Sequence, residues 1–384
     1  MRAWSSARFT VPLPDGHRFP IAKYARIRDE VVARNLLPGH MIEEPDRADR
    51  WALELVHTPP YADAVLAGTF TPGEVRRLGF PWSSHLRERS LRTVQGTLEA
   101  ARDALETGLG INLAGGTHHA YPGHGEGFCV FNDVAIAIRV LQREGRLVRA
   151  AIVDLDVHQG NGTAHIFADD PDVFTFSMHG ARNYPFRKER SALDVELEDG
   201  CEDAVYMAAL DAHLGPVLDA ARQELVFYLG GADPYVHDRF GRLGLTVAGL
   251  LERDRRAFGA FRGHGLPAVV TLAGGYAREM EDVVTIQANT VGAALDAHLG
   301  PVLDAAGPEL VFYLGGADPY VHDRFGRLGL TVAGLLERDR RAFGAFRDHG
   351  LPAVLTLAGG YARELEDVVT IQTNTVEAAL AAYA

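Results

Sequence analysis

Cysteine is scarce: the 384-residue chain has two, Cys129 and Cys201. That excludes a disulfide framework and a Cys-rich zinc module, and it makes a reducing cytoplasm the expected compartment. No stretch approaches the roughly 18 apolar residues of a membrane span. The first residues, MRAWSSARFTVPLPDGHRFP, have no apolar segment behind basic ones, so neither a membrane association nor a secretory leader is expected. Basic charge is also short, 38 Lys and Arg against 51 Asp and Glu, for a net charge of -13. A nucleic-acid partner is therefore not expected, whereas a cationic small molecule or a lysine-bearing peptide suits the overall field. What remains, 47% hydrophobic and 23% charged residues, is the composition of a soluble globular protein.

From about residue 86, short apolar runs ending in glycine or polar residues alternate with longer helical patterns, which predicts an α/β fold with a mostly parallel sheet. The predicted strands are Ile111–Ala114, Ala150–Leu155, Val173–Met178, Leu225–Leu229 and Ala268–Ala273, each apolar enough to be covered on both faces. Helices are predicted over Leu86–Glu106, Val134–Glu144, Ala204–Ala221 and Val247–Phe261, with an earlier one over Trp51–Leu66. Pro-Gly at 38–39 and 72–73 reads as punctuation between elements.

The stretch 209–293 recurs as 294–378, an offset of 85 residues, as between Asp233 and Asp318. Seven positions differ: Arg222/Gly307, Gln223/Pro308, Gly263/Asp348, Val270/Leu355, Met280/Leu365, Ala288/Thr373 and Gly292/Glu377. Two copies without a third argue against a solenoid and fit a tandem duplication. The chain divides on this basis into a domain over 1–293 and a near-identical copy of its last part over 294–384.

Several chemistry-bearing residues follow predicted strands, where the carboxyl ends of a parallel sheet form a crevice. Asp154-Leu155-Asp156-Val157-His158 closes one strand and supplies oxygen and nitrogen donors suited to zinc or another borderline divalent ion. Its plainer reading is a helix N-cap by Asp156 or Asn161 beside a surface histidine. Asp233, in LGGADP, is by itself an ordinary turn signal; with Asp156 and His158 it completes three protein ligands of an open catalytic site. His118 and His119 lie on a glycine-rich loop, as surface residues or as proton shuttles. Tyr276, in LAGGYA, is either a core-edge tyrosine or a donor to a developing oxyanion. Together they fit a metal-assisted amide hydrolysis.

The strings GGTHHAYPGHGEGFCVFNDVAIA, DLDVHQGNGTAHIF, FTFSMHGARNYPF, LGGADP and LAGGYA, in this order, resemble the histone deacetylase superfamily, which includes acetoin utilisation proteins and acetylpolyamine amidohydrolases. DVHQGNGTA and FRKE look most like the small bacterial branch related to class IV deacetylases. The resemblance implies a single three-layer domain of arginase/deacetylase type, with zinc bound by Asp156, His158 and Asp233. It implies His118 and His119 as the tandem histidines, His119 being the general base and then acid, Tyr276 as carbonyl ligand, and Asp154 as the carboxylate orienting His118. Asn161 stands where class I members carry aspartate, which implies a less basic His119. Gly127, Phe128 and Tyr184 would line an apolar tunnel, and a structural potassium ion would lie near Asp154, Asp156, His158, Ser177 and Met178. The implied substrate is an acetylated lysine peptide or an acetylated small amine.

Asp318 and Tyr361 duplicate Asp233 and Tyr276, yet one zinc needs one set. Near-identical core faces leave packing little to choose between the copies, and chain connectivity favours copy one by an entropic cost of order 1 kcal/mol. Copy two, without a tandem histidine pair or a DVH motif of its own, is expected as a small appendage, as a segment swapped into another protomer and so a route to an oligomer, or as a poorly ordered segment. An acetylpolyamine amidohydrolase, a two-manganese ureohydrolase and a non-catalytic acyl-amine-binding protein are the competing functions. The ureohydrolase is disfavoured because Gln159, Gly160 and Asn161 occupy the stretch where further aspartates would be needed.

Overall fold

A computed structural model describes residues 2–34, 36–220, 223–306, 308–326 and 328–383. They form two compact units, one of residues 1–28 and 41–294 and one of residues 29–40 and 295–384. Among the described residues no helix is long and apolar enough to cross a membrane.

The first unit is built on eight strands: β1 (Ala3–Trp4), β2 (Ile42–Glu43), β3 (Leu109–Asn112), β4 (Ala150–Asp154), β5 (Val173–Gly180), β6 (Leu193–Leu197), β7 (Leu225–Leu229) and β8 (Ala268–Thr271). Their order is β2-β1-β3-β8-β7-β4-β5-β6, with every neighbouring pair parallel. Helices flank the sheet, giving the three-layer α/β architecture expected. β4, β7 and β8 are buried throughout, which explains their uninterrupted apolar sequences. The predicted strands appear within a few residues of their expected bounds; β1, β2 and β6 are too short or too polar for periodicity to have marked them.

Helix boundaries follow local chemistry. Ser83 caps Ser84–Thr107 by accepting from Leu86 N, and the helix ends at Gly108 in the left-handed region. Asn132 caps Asp133–Arg143 through Ala135 N at 3.0 Å, and Thr246 caps Val247–Gly263 through Gly249 N at 2.9 Å. One expectation fails here. Trp51–Leu66 is not one helix but two, Arg50–Leu53 and Pro59–Ala67, because two prolines without N–H groups start a helix rather than continue one. Pro72-Gly73 does stand at a boundary between elements: Pro72 opens helix Pro72–Leu78, fixed by a capping box between Thr71 and Glu74. Ala221, predicted to end a helix, lies outside the described residues, as do Arg222 and Gly307.

The second unit contains two parallel strands, β9 (Val311–Gly316) and β10 (Ala353–Ala358), with helices Val332–Asp348 and Leu365–Tyr383. It repeats local features of copy one: Tyr313, Asp339 and Thr375 are hydrogen-bonded as Tyr228, Asp254 and Thr290 are. The surroundings differ. Phe227 and Leu229 in β7 are wholly buried, whereas their counterparts Phe312 and Leu314 in β9 are 64% and 66% exposed.

The sheet of the first unit takes β7 and β8 from copy one, and packing discriminates between the copies more than near-identity suggests. Val270, Ala288 and Gly292 are buried. Their counterparts are a larger Leu355, a polar Thr373 and a charged Glu377, the last two exposed in the second unit. A carboxylate at the buried position of Gly292 would have to lose its hydration, a cost of several kcal/mol.

Candidate active site

The four adjacent strands β3, β8, β7 and β4 end on one side of the sheet, and the segments after them carry the functional side chains. His118 and His119 follow β3, Asp156 and His158 follow β4, Asp233 follows β7 and Tyr276 follows β8. All six are buried.

Asp156, His158 and Asp233 each present a ligand atom, all within 4.8 Å of one another. The carboxylates are aimed by backbone donors: Asp156 accepts from His158 N at 2.9 Å and Gly274 N at 2.8 Å, and Asp233 Oδ1 accepts from Val157 N at 3.0 Å. A Cβ on Gly274 would stand 1.9 Å from Asp233 Oδ2, so only glycine permits this approach. Asp233 Oδ2 is buried with no hydrogen-bond donor, its distance of 3.3 Å to His158 Nδ1 lacking hydrogen-bond geometry. Burial opposes charge on His158, yet Asp156 and Asp233 raise its pKa to about 10. Burial and the Asp156 carboxylate push Asp233 up to about 6, while His118 and His158 hold Asp156 well below the usual carboxylate range despite burial. Two buried carboxylates, one with an unpartnered oxygen, and an imidazole form a donor set that fits a divalent cation such as zinc.

The histidine pair lies beside this cluster. His118 Nδ1 is 2.6 Å from Asp154 Oδ2, His118 Nε2 is 3.1 Å from His119 Nε2, and His119 Nδ1 is 2.7 Å from Asn161 Oδ1. Burial opposes charge on both rings. For His118 the carboxylates of Asp154 and Asp156 prevail and raise the pKa to about 9; for His119 the neighbouring His118 and His158 deepen the effect of burial, and its pKa falls well below 6.5. The pattern assigns a charged His118 and a neutral His119, whose Nδ1–H donates to Asn161.

A cavity of about 420 Å³ leads outward from His119, His158 and Tyr276 and is walled by Leu78, Phe128, Tyr184 and Phe240. Phe128 and Tyr184 line it. Gly127 lies against His119 itself, where a Cβ would meet the ring at 2.7 Å, and its φ of 55° also favours glycine. Ser177 and Met178, expected around potassium, lie on β5, with Ser177 in register with Asp154. Asp318 and Tyr361 are brought to no such cluster: among the described residues the one group of three metal-ligating side chains is Asp156, His158 and Asp233.

Two residues escaped the sequence reading. Glu126 accepts from Asn161 Nδ2 at 3.1 Å and from the Tyr184 hydroxyl, so it ties the partner of His119 to the cavity wall. Its signal was present, a lone carboxylate inside the glycine-rich loop. Asp238 accepts from Tyr276 N at 2.6 Å and from Phe240 N and Gly241 N, fixing the loop that carries the tyrosine. Nothing in HDRFG separates it from a surface aspartate.

Residues 17–291 match the histone deacetylase domain family, and residues 283–377 match it a second time. An uncharacterised protein of Picosynechococcus is 45% identical over 72% of this chain and 92% of its own length. Histone deacetylase 2 of Arabidopsis thaliana is 31% identical over 70% of this chain and 72% of its own length, and the acetoin utilisation protein AcuC of Staphylococcus aureus is 29% identical over 62% and 67%. Among solved structures, a histone deacetylase homologue complexed with SAHA superimposes with a TM-score of 0.65 at 21% identity, covering 79% of this chain and 88% of that one. With a family match across most of the first unit and the motifs gathered at one end of its sheet, the chain belongs to the histone deacetylase family.

Proposed function

We propose that the protein is a zinc-dependent amide hydrolase that removes an acyl group from lysine or a similar amine, with Asp156, His158 and Asp233 as the zinc ligands. The observation that carries this reading is the convergence of those three side chains with a neutral His119 at the inner end of an apolar cavity. Relatives named as histone deacetylase and acetoin utilisation protein support it.

A zinc ion held by this donor set supplies Lewis-acid polarisation of an acyl carbonyl and increases the acidity of water. Asn161 fixes the His119 tautomer with Nδ1 protonated, which leaves Nε2 to take a proton from the attacking water. His118, charged and held by Asp154, stabilises negative charge nearby and keeps its own proton at Nε2. Tyr276, held by Asp238 through its backbone, donates its hydroxyl to the carbonyl oxygen as that oxygen gains charge. His119 then returns its proton to the leaving amine. Phe128 and Tyr184 exclude water along the methylenes of the substrate.

Hydrolysis of a fluorogenic acyl-lysine peptide tests this reading. Turnover that is blocked by a hydroxamate, requires one zinc per chain and is lost in His119→Ala is the expected result. Two manganese ions per chain would instead support the ureohydrolase reading, and zinc binding without turnover the acyl-amine-binding one.

A further inference from the structure

The mouth of the cavity carries charge opposite to that of the chain. Five arginines line it, Arg18, Arg76, Arg77, Arg182 and Arg242, and no carboxylate does. All five are exposed. They come from four separate segments, so no single local feature accounts for them. Arg76 and Arg77 sit in the last turn of helix Pro72–Leu78, where basic residues offset the helix dipole. That explanation does not extend to the other three. The helix end is also tied to the cavity wall, since the carbonyls of Arg77 and Leu78 accept from Gly127 N at 3.3 Å and Phe128 N at 2.8 Å. The two arginines are thereby held at the rim of the channel that ends on His119. Arg182 and Arg242 have acidic neighbours, Glu198 at 3.8 Å and Asp199 at 3.3 Å, in solvent-exposed pairs that bind weakly and leave each guanidinium open to a second anion.

We infer that the acyl-amine substrate is anionic, carrying carboxylate or phosphate groups close to the acylated nitrogen, and that the arginine rim selects it. This rests on the hydrolase reading above and narrows it. Charges within a Debye length, about 8 Å at physiological ionic strength, act on the entering substrate. A net charge of -13 spread over the chain does not reverse a local cluster of five cations. The rim therefore disfavours acetylpolyamines, whose remaining amines are cationic. Guanidinium groups bind carboxylates and phosphates through paired N–H donors, which suits them to both.

The test compares kcat/KM at low ionic strength for acetyl-lysine peptides flanked by Asp and Glu or by Lys and Arg, together with the anion Nα,Nε-diacetyl-lysine and the cation N-acetylputrescine. The anionic member of each pair is expected to exceed the cationic one by about tenfold or more, with the gap closing at high salt. Arg76→Glu/Arg77→Glu should shrink or reverse the gap, and the milder Arg76→Gln/Arg77→Gln should narrow it if the first variant folds poorly. A preference for the acidic peptide over diacetyl-lysine indicates an extended acidic segment as the source of charge; the reverse indicates a small anionic acyl-amine. Equal kcat/KM for anionic and cationic substrates, or a gap unchanged in both variants, would overturn the inference and leave the hydrolase intact. If nothing is hydrolysed, fluorescence anisotropy with the same peptides separates the two ideas: selective binding of the acidic peptide overturns the hydrolase reading alone, and unselective binding overturns both.

Discussion

His119 Nδ1 lies 2.7 Å from the Oδ1 of Asn161, and this contact decides which nitrogen of the imidazole is free to accept a proton. An amide oxygen can only accept, so Nδ1 carries the hydrogen and Nε2 the lone pair. Asn161→Ala removes the orienting partner and should lower kcat about 10–100-fold with zinc content unchanged, as measured by steady-state kinetics alongside metal analysis. Asn161→Asp places a carboxylate there, which favours the imidazolium. The rising limb of kcat/KM against pH is then expected at higher pH than in the parent, because His119 must lose its proton before it can act as base.

The metal cluster gives a second prediction. With Asp156 and Asp233 facing each other in a buried site, a bound cation relieves their repulsion and stabilises the folded unit. Chelation should lower the Tm of the first unit, by an amount equivalent to roughly 3 kcal/mol if zinc is present at about 100 times its Kd. Asp233→Ala should reduce zinc from one per chain toward none, and Asp318→Ala should leave it at one, as elemental analysis would report. Zinc lost in Asp318→Ala would contradict the assignment of the site to copy one.

How legible these features were depended on whether neighbours in sequence or neighbours in space created them. β4, β7 and β8 were readable because burial on both faces leaves an unbroken apolar run, and the residues following them were readable because a parallel sheet gathers its carboxyl ends. Asp238 was not, since its role comes from accepting the N–H of Tyr276, 38 residues away. The arginine rim was hidden for the same reason: four segments far apart in the chain meet at one mouth, while the net charge pointed to cationic ligands. The separation of the copies was half visible. The seven differences were in plain view, but only the fold shows that Ala288 and Gly292 are buried whereas Thr373 and Glu377 are exposed.

Acid should destabilise the first unit through His57. Its ring is buried, with Nδ1 3.0 Å from the carbonyl oxygen of Tyr121 and Nε2 accepting from Asn132 N at 3.0 Å. Burial lowers its pKa to about 4 from an ordinary 6.5, outweighing the backbone carbonyls that favour its charged form. The unfolded chain therefore takes up this proton first. The stability is fully present above about pH 6.5 and is lost as pH falls toward 4, by roughly 3 kcal/mol in all. Denaturant unfolding from pH 7 to 4 should show this slope, and His57→Gln, which keeps a polar group without titrating, should flatten it.

The sharpest test of copy selection exchanges the two residues that differ most in polarity. Gly292→Glu puts a carboxylate at a buried position, where loss of hydration is expected to cost at least about 3 kcal/mol and lower the Tm of the first unit. Gly292→Ala separates charge from bulk: a helical alanine gains up to about 1 kcal/mol over glycine, so a large loss there would mean that space, not charge, is limiting. Glu377→Ala, on an exposed helical face, should change stability by less than about 0.5 kcal/mol. If packing selects the copy, Gly292→Glu combined with Glu377→Gly and Thr373→Ala should move the requirement for zinc binding from Asp233 toward Asp318. The double dependence is measurable by introducing Asp233→Ala and Asp318→Ala separately into that background. Zinc that still depends on Asp233 alone would mean that connectivity, rather than these buried positions, decides which copy completes the sheet.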